Sequence, residues 1–337
     1  MPLDASSVMT YRLAVQHVGQ HKLPVGSLAE AARAGLQDGS PRSGILSLHA
    51  RVEGVEPDTW EDPSLAQVFF RASVYLVAAD DVGIFTLGAL PIDAERQQQV
   101  HSDADAIARA IGGGAVSQRD VEPLFTNLDR RRFRRASSTG RFTVRWDARD
   151  VILSVRPPPD IDVDDARDEL ALRFFRYLGP ATTEDFRWWV DATAADARAI
   201  VDRVRDRLTE VDTPRGPMLI SEQSAPLLDG PPKPPHVVLL PPDDPVFLRR
   251  TTSRWLGEDQ VRKVWPAAPP PGVVIVDGVL VGRWRRQGSA TTIELFTPQP
   301  ANAVEKMEDF ALGFPIESDR APSVRVQSDG FWHTPSR

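Results

Sequence analysis

One kind of helix start recurs three times along this chain, and that repetition constrains the fold more than any single motif. Ser27-x-x-Glu30, Ser117-x-x-Asp120 and Thr182-x-x-Asp185 each place a hydroxyl three residues before a carboxylate, the spacing of a reciprocal capping box. Short helical stretches follow: LAEAARAGL, QRDVEPLF and TEDFRWWV. After a break, each leads to a second stretch, at 44–50, 128–136 and 194–208. In the last of these, Ala197, Val201, Val204 and Leu208 fall on one face. Strand-like sequence comes next. RFTVRW and VILSVR alternate apolar and polar residues about the turn DARD, VFFRASVYLV reads as strand, and LTEVDTPRGPMLI reads as two short strands around 214–216.

Helix, turn, helix and hairpin is the order of a winged helix, whose second helix can enter a major groove while the hairpin touches backbone. The pattern predicts an α+β fold with three tandem winged-helix motifs, over 10–95, 100–158 and 165–225. Two further helices, SDADAIARAI from Ser102 to the glycines at 112–114 and RDELALRFFRYL, read as core-facing supports. A stiff GPPKPP linker precedes a small β-rich C-terminal domain over 236–320. There Asp277-Gly278, between two β-branched runs, is the strongest hairpin signal in the chain. The last fifteen or so residues read as a mobile tail.

A net charge of −7 argues against nucleic acid only if it is evenly spread, and it is not. The segment 160–169 holds six acids and one arginine; without it the remainder carries −2. RRRFRR at 130–135 places five arginines in six positions, and charge distribution rather than total governs steering. Leu128, Arg131, Arg132 and Arg135 lie about one turn apart, so Arg130, Arg131, Arg132, Arg134 and Arg135 occupy much of a helix circumference. They could grip successive phosphates of duplex DNA; a solvated helix face is the alternative. Arg42, just past the first break, and Arg283, Arg285 and Arg286 around Trp284 are further candidate contacts, the latter set equally readable as the charged face of a hairpin.

Other chemistry is excluded. The chain has no cysteine, which removes disulfides, zinc ribbons and thiol catalysis. HVGQH spaces two histidines at i and i+4 but carries Val18 where a zinc protease needs glutamate, GGG lacks the rest of a phosphate loop, and no Gly-x-Ser-x-Gly occurs. Trp188 and Trp189 read as core. No apolar run approaches the ~20 residues of a membrane span, and MPLDASSVMT has no signal pattern. The expectation is a cytoplasmic monomer with neither metal nor cofactor.

The most ambiguous stretch is Gln37-Asp38-Gly39. It can be a helix end, with Gly39 at positive φ and Asp38 making a local turn bond. It can also be a catalytic pair.

Several phrases bear on that choice: GLQDGSPRSGILSLHARVEG (35–54), LGPATTEDFRWW (178–189), LLPPDDP (239–245) and VDGVLVGRWRR (276–286). Together they resemble the winged-helix DNA-binding family that includes the AlkZ and YcaQ bacterial DNA glycosylases, over about residues 10–300. The resemblance implies a C-shaped protein whose tandem winged helices cradle duplex DNA, and glycosylase members that remove alkylated purines or unhook crosslinks. In those members a Gln-x-Gln or Gln-x-Asp pair positions the water. Gln37 falls on the first position and Gly39 on the second, with Asp38 one residue early as a possible substitute. A sequence-specific transcriptional regulator without enzymatic activity is the alternative function, and a protein-interaction scaffold a third.

Overall fold

Of the three expected helix starts, one forms the full box. Thr182 Oγ1 accepts from the backbone N–H of Asp185 at 3.2 Å while Asp185 Oδ2 accepts from that of Thr182 at 3.0 Å, opening the helix Thr183–Val190. Ser117 accepts from Arg119 N–H at 3.1 Å and opens only Gln118–Val121. Ser27 makes no cap bond, because its ψ of 34° is not the extended conformation a capping side chain needs. Its partner Glu30 is drawn instead to His17, at 2.9 Å.

The structure, a computed structural model, describes residues 3–39, 42–265 and 269–328. Its architecture is mixed α+β. Strands β1 (Leu36–Gln37), β2 (Leu65–Phe70), β3 (Ser73–Ala78), β4 (Ala115–Ser117), β5 (Phe142–Trp146) and β6 (Val151–Val155) form one sheet in the order β1-β3-β2-β5-β6-β4. The first two helix–hairpin segments therefore share a sheet. They meet where Gln67 pairs with Val144, and the Gln67 amide exchanges hydrogen bonds of 3.1 and 2.6 Å with the backbone of Trp146. VFFRASVYLV, which reads as one strand, is a hairpin: Arg71 and Ala72 sit at φ 53° and 61°, the left-handed pair of a tight two-residue turn. The helix expected from Ser102 starts earlier, at Ala94–Ile111, with Asp93 as its cap.

The third segment consists of helices Val163–Tyr177, Thr183–Val190 and Ala194–Arg203 followed by β7 (Leu208–Thr213) and β8 (Gly216–Ser221). It packs on the first through aromatic rings, with Trp189 4.9 Å from Phe70 and 6.4 Å from Phe85. Strands β9 (Val237–Leu240), β10 (Gly272–Val276), β11 (Val279–Gln287), β12 (Ala290–Leu295) and β13 (Ser323–Ser328) make the C-terminal sheet in the order β13-β12-β11-β10-β9. The β10–β11 turn is Asp277-Gly278, at φ 47° and 80°. Strand β13 pairs parallel with β12, so this part of the tail is ordered; 329–337 lie outside the described residues.

Two buried arginines tie these parts together. Arg12, 1 % exposed on the helix Ala5–Val15, donates to the carbonyls of Leu178 and Gly179 at 2.6 and 3.1 Å and to Thr252 at 3.2 Å. Arg51 forms a two-pronged pair with Asp244, at 2.8 and 2.9 Å, with both side chains fully buried. Among the described residues no helix is long and apolar enough to cross a membrane.

Candidate active site and nucleic-acid interface

The helix Leu28–Ala32 is broken by Gly35, not Gly39. Gly35 has φ 72°, and a Cβ there would stand 2.5 Å from the Phe85 ring, so both conformation and space demand glycine. Gly39 lies outside the left-handed region. Between them, Leu36 and Gln37 form β1, and Gln37 sits directly opposite Tyr75 on β3. That register brings the side chains together: the Tyr75 hydroxyl donates to Gln37 Oε1 at 2.8 Å. The amide is thereby oriented, and its Nε2 donates to Asp243 Oδ2 at 3.3 Å. A Cβ on Gly39 would lie 3.0 Å from that same Nε2.

Asp38 turns the other way. It is 2 % exposed, and its Oδ1 accepts from the backbone N–H of Gly44 at 2.9 Å, holding the entry to the helix Ser43–His49. Burial pushes its carboxyl up to about 6, while the Gly44 bond and the Arg42 charge pull the other way. The unfolded chain holds an ordinary aspartate near ~3.9. Between those values the native state keeps a proton that the unfolded state releases, so this contribution is full below pH ~4 and is lost as pH rises through about 6. Asp38→Asn keeps the acceptor and removes the titration. Denaturation at pH 4.5 and 7.5 is expected to show the variant gaining about 2 kcal/mol relative to wild type at the higher pH. Equal differences at both would refute it.

The arginines divide sharply by environment. Arg130 is exposed and has no hydrogen bond or ion pair among the described residues. Arg131 and Arg135 both pair with Asp191, and Arg132 clasps Asp103 at 2.9 and 3.0 Å. Arg134 turns inward, donating to the Ala72 carbonyl at 2.7 Å and lying 4.7 Å above the Phe69 ring; burial pushes its pKa down to about 10. Arg42 starts its helix at φ 68° and stacks 4.6 Å from Trp60. Arg283 is 5 % exposed and held by Glu294, its cross-strand neighbour, which puts it inside the C-terminal domain rather than on an open face. Arg285 and Arg286 are half-buried and donate to the carbonyls of Pro269 and Gly288, both at 2.8 Å.

Asp38 and Gly39 line one cavity of about 270 Å³ with Arg119, Arg130, Arg134 and Arg149. Arg130 also lines an adjoining one of about 620 Å³ with Arg71, Arg131, Arg187 and Trp188. Asp38 and Gly39, the two residues after Gln37, thus share a concave surface with the outward end of the arginine helix, while the Gln37 side chain itself points to Tyr75 and Asp243 and lines neither cavity. Trp188 lines this surface while packing against the edge of the core: it is partly buried, with Arg71 stacked at 4.0 Å and Arg250 at 5.6 Å, whereas Trp189 is fully in the core.

The sequence pattern described as DNA glycosylase AlkZ-like matches residues 31–311, a span that includes Gln37, the arginine helix and Asp243. The chain belongs to the AlkZ-like DNA glycosylase family. The solved structure of the Streptomyces sahachiroi DNA glycosylase AlkZ shares its fold, with a TM-score of 0.75 and coverage of 97 % of this chain and 100 % of that one, at 18 % identity. No curated protein sequence matches. Within this AlkZ-like chain, Tyr75 and Asp243 are the partners of Gln37 that sequence reasoning missed, together with Arg71, whose charge acts on both. Tyr75 was hidden in an alternating strand, and Asp243 in the quoted phrase LLPPDDP.

Proposed function

We propose that this AlkZ-like chain is a DNA-binding glycosylase. In this reading its three helix–hairpin segments act as winged helices, arranged as a C around duplex DNA, and it excises N3- or N7-alkylated purines. The observation that carries this is the shared cavity: Gly39, two residues from Gln37, faces the same space as Arg130, which has no hydrogen bond or ion pair among the described residues.

An alkylated purine of this kind is already cationic and leaves without a strong acid, so the protein's task is to hold a water at the anomeric carbon and stabilise the sugar cation. Gln37 suits the first role, because Tyr75 fixes its amide. Asp38, buried and committed to Gly44, acts through the loop it caps rather than on the water. Arg130 is the leading phosphate contact of the arginine helix, with Arg131, 64 % exposed in its side chain, beside it. Arg132, Arg134, Arg135 and Arg283 serve structure, while Arg42 holds the turn against Trp60.

Two measurements test this reading. Duplex binding should weaken steeply with salt, and Arg130→Ala should weaken it several-fold and lower the log–log salt slope by about 1. Duplex DNA carrying one N7-methylguanine should release free base. Salt-independent binding, or none at low salt, would count against the DNA face; binding without release would leave a non-enzymatic DNA-binding protein.

A further inference from the structure

Gln37 Nε2 has a carboxylate beside it that comes from the far end of the sequence. We propose that Asp243 serves as the general base of this site, supplying from the 241–245 loop the side chain that Gly39 does not provide. The inference rests on the glycosylase reading above.

Three observations converge on the residue. First, its Oδ2 lies 3.3 Å from Gln37 Nε2, the amide edge that a Cβ on Gly39 would approach to 3.0 Å. A carboxylate from 243 and a side chain from 39 would therefore meet the same edge of the same amide. Second, Asp243 stands at φ 61°, a left-handed conformation that aspartate and asparagine adopt more readily than other side-chain-bearing residues, and the fold holds it there. The hold comes from the next residue: Asp244 is locked by Arg51, Ser47 and the backbone N–H of Val246. Third, the carboxylate is half-buried, and among the described residues Gln37 is its only hydrogen-bond partner. Its remaining lone pairs are free to accept from a water.

The charged and titratable groups acting on it are Arg71, at the β2–β3 turn, and Tyr75 on β3. Burial pushes the Asp243 carboxyl up and Arg71 pulls it down, leaving a net rise that makes it a better base than a free aspartate. In the step, the water oxygen bonds to C1′ as the C1′–N9 bond breaks. The bonding pair moves onto the purine and cancels its positive charge, and the water proton passes to Asp243.

The test uses the full chain and a duplex with a single N7-methylguanine, following base release from pH 4 to 8. Wild type should show a rate that rises with pH through a value above the ordinary carboxylate range and then levels. Asp243→Asn should lower the plateau by about 10²-fold and abolish the rise. Asparagine tolerates the left-handed backbone, so duplex binding should be retained. Gly39→Asp in that background should recover at least tenfold, because it returns a carboxylate to the same amide edge. Release by Asp243→Asn within threefold of wild type, with the pH rise intact, would overturn the role of Asp243 and leave the glycosylase reading standing. Loss of duplex binding together with release would mark Asp243 as structural and also overturn it. No release by wild type removes both.

Discussion

Replacing Arg51 with alanine should lower the unfolding free energy by about 3–5 kcal/mol, among the larger losses expected of a single substitution in this chain. Arg51 has no exposed surface, and its donors are all engaged: two on Asp244, the others on the Gln16 carbonyl at 3.0 Å, Gln16 Oε1 at 3.0 Å and the Ser47 carbonyl at 2.8 Å. Asp244 in turn accepts from Ser47 at 2.6 Å and from Val246 N–H at 3.0 Å. Alanine would strand that carboxylate in the interior, where an uncompensated charge costs far more than the pair itself contributes. The double change Arg51→Met with Asp244→Asn should lose less, since it removes both charges while keeping an acceptor for Ser47 and Val246. Urea midpoints for the single and double variants check this; equal losses would mean that packing, not the charge, sets the cost.

The same pair explains why the site could be read only in part from the sequence. Asp277-Gly278 and Thr182-x-x-Asp185 were legible because each is decided by neighbours a few residues away. The Arg71-Ala72 hairpin was not, since neither residue carries a glycine or asparagine signal and the left-handed turn is imposed by β2–β3 pairing. Strand β1 is two residues long and exists only because β3 lies beside it. Gln37 was visible through the family phrases, but its contact with Asp243 spans 206 positions, beyond any local pattern. The arginines teach a similar lesson. Five in six positions suggested a cationic face, yet Asp103 and Asp191, both distant in sequence, pair with three of them and offset two of the five charges. Arg283 is likewise decided by Glu294, which only strand register brings opposite.

Gln37→Ala should reduce base release by about 10²–10³-fold, the usual consequence of removing one group aligned with the transition state. Its stability cost should be about 1–3 kcal/mol, because the buried Tyr75 hydroxyl loses its acceptor while the Asp243 carboxylate is close enough to solvent for water to replace the amide. Asp243 is only half-buried, and the Gln37 side chain itself is part-exposed. Duplex binding should change little, since Arg130 and the rest of the cationic surface are untouched. That split between rate and affinity is what a water-holding role requires and what a merely structural turn would not produce. Tyr75→Phe offers the graded control. It keeps the ring in its place beside Phe70, 5.1 Å away, and removes only the hydroxyl that sets the direction of the amide. A free amide still visits the working orientation part of the time, so its loss in rate should be about tenfold, smaller than that of alanine at 37. Release assays and duplex titrations on the two variants decide the matter: if Gln37→Ala releases base at the wild-type rate, the water is held by some other group and Gln37 is only the last residue of a short strand.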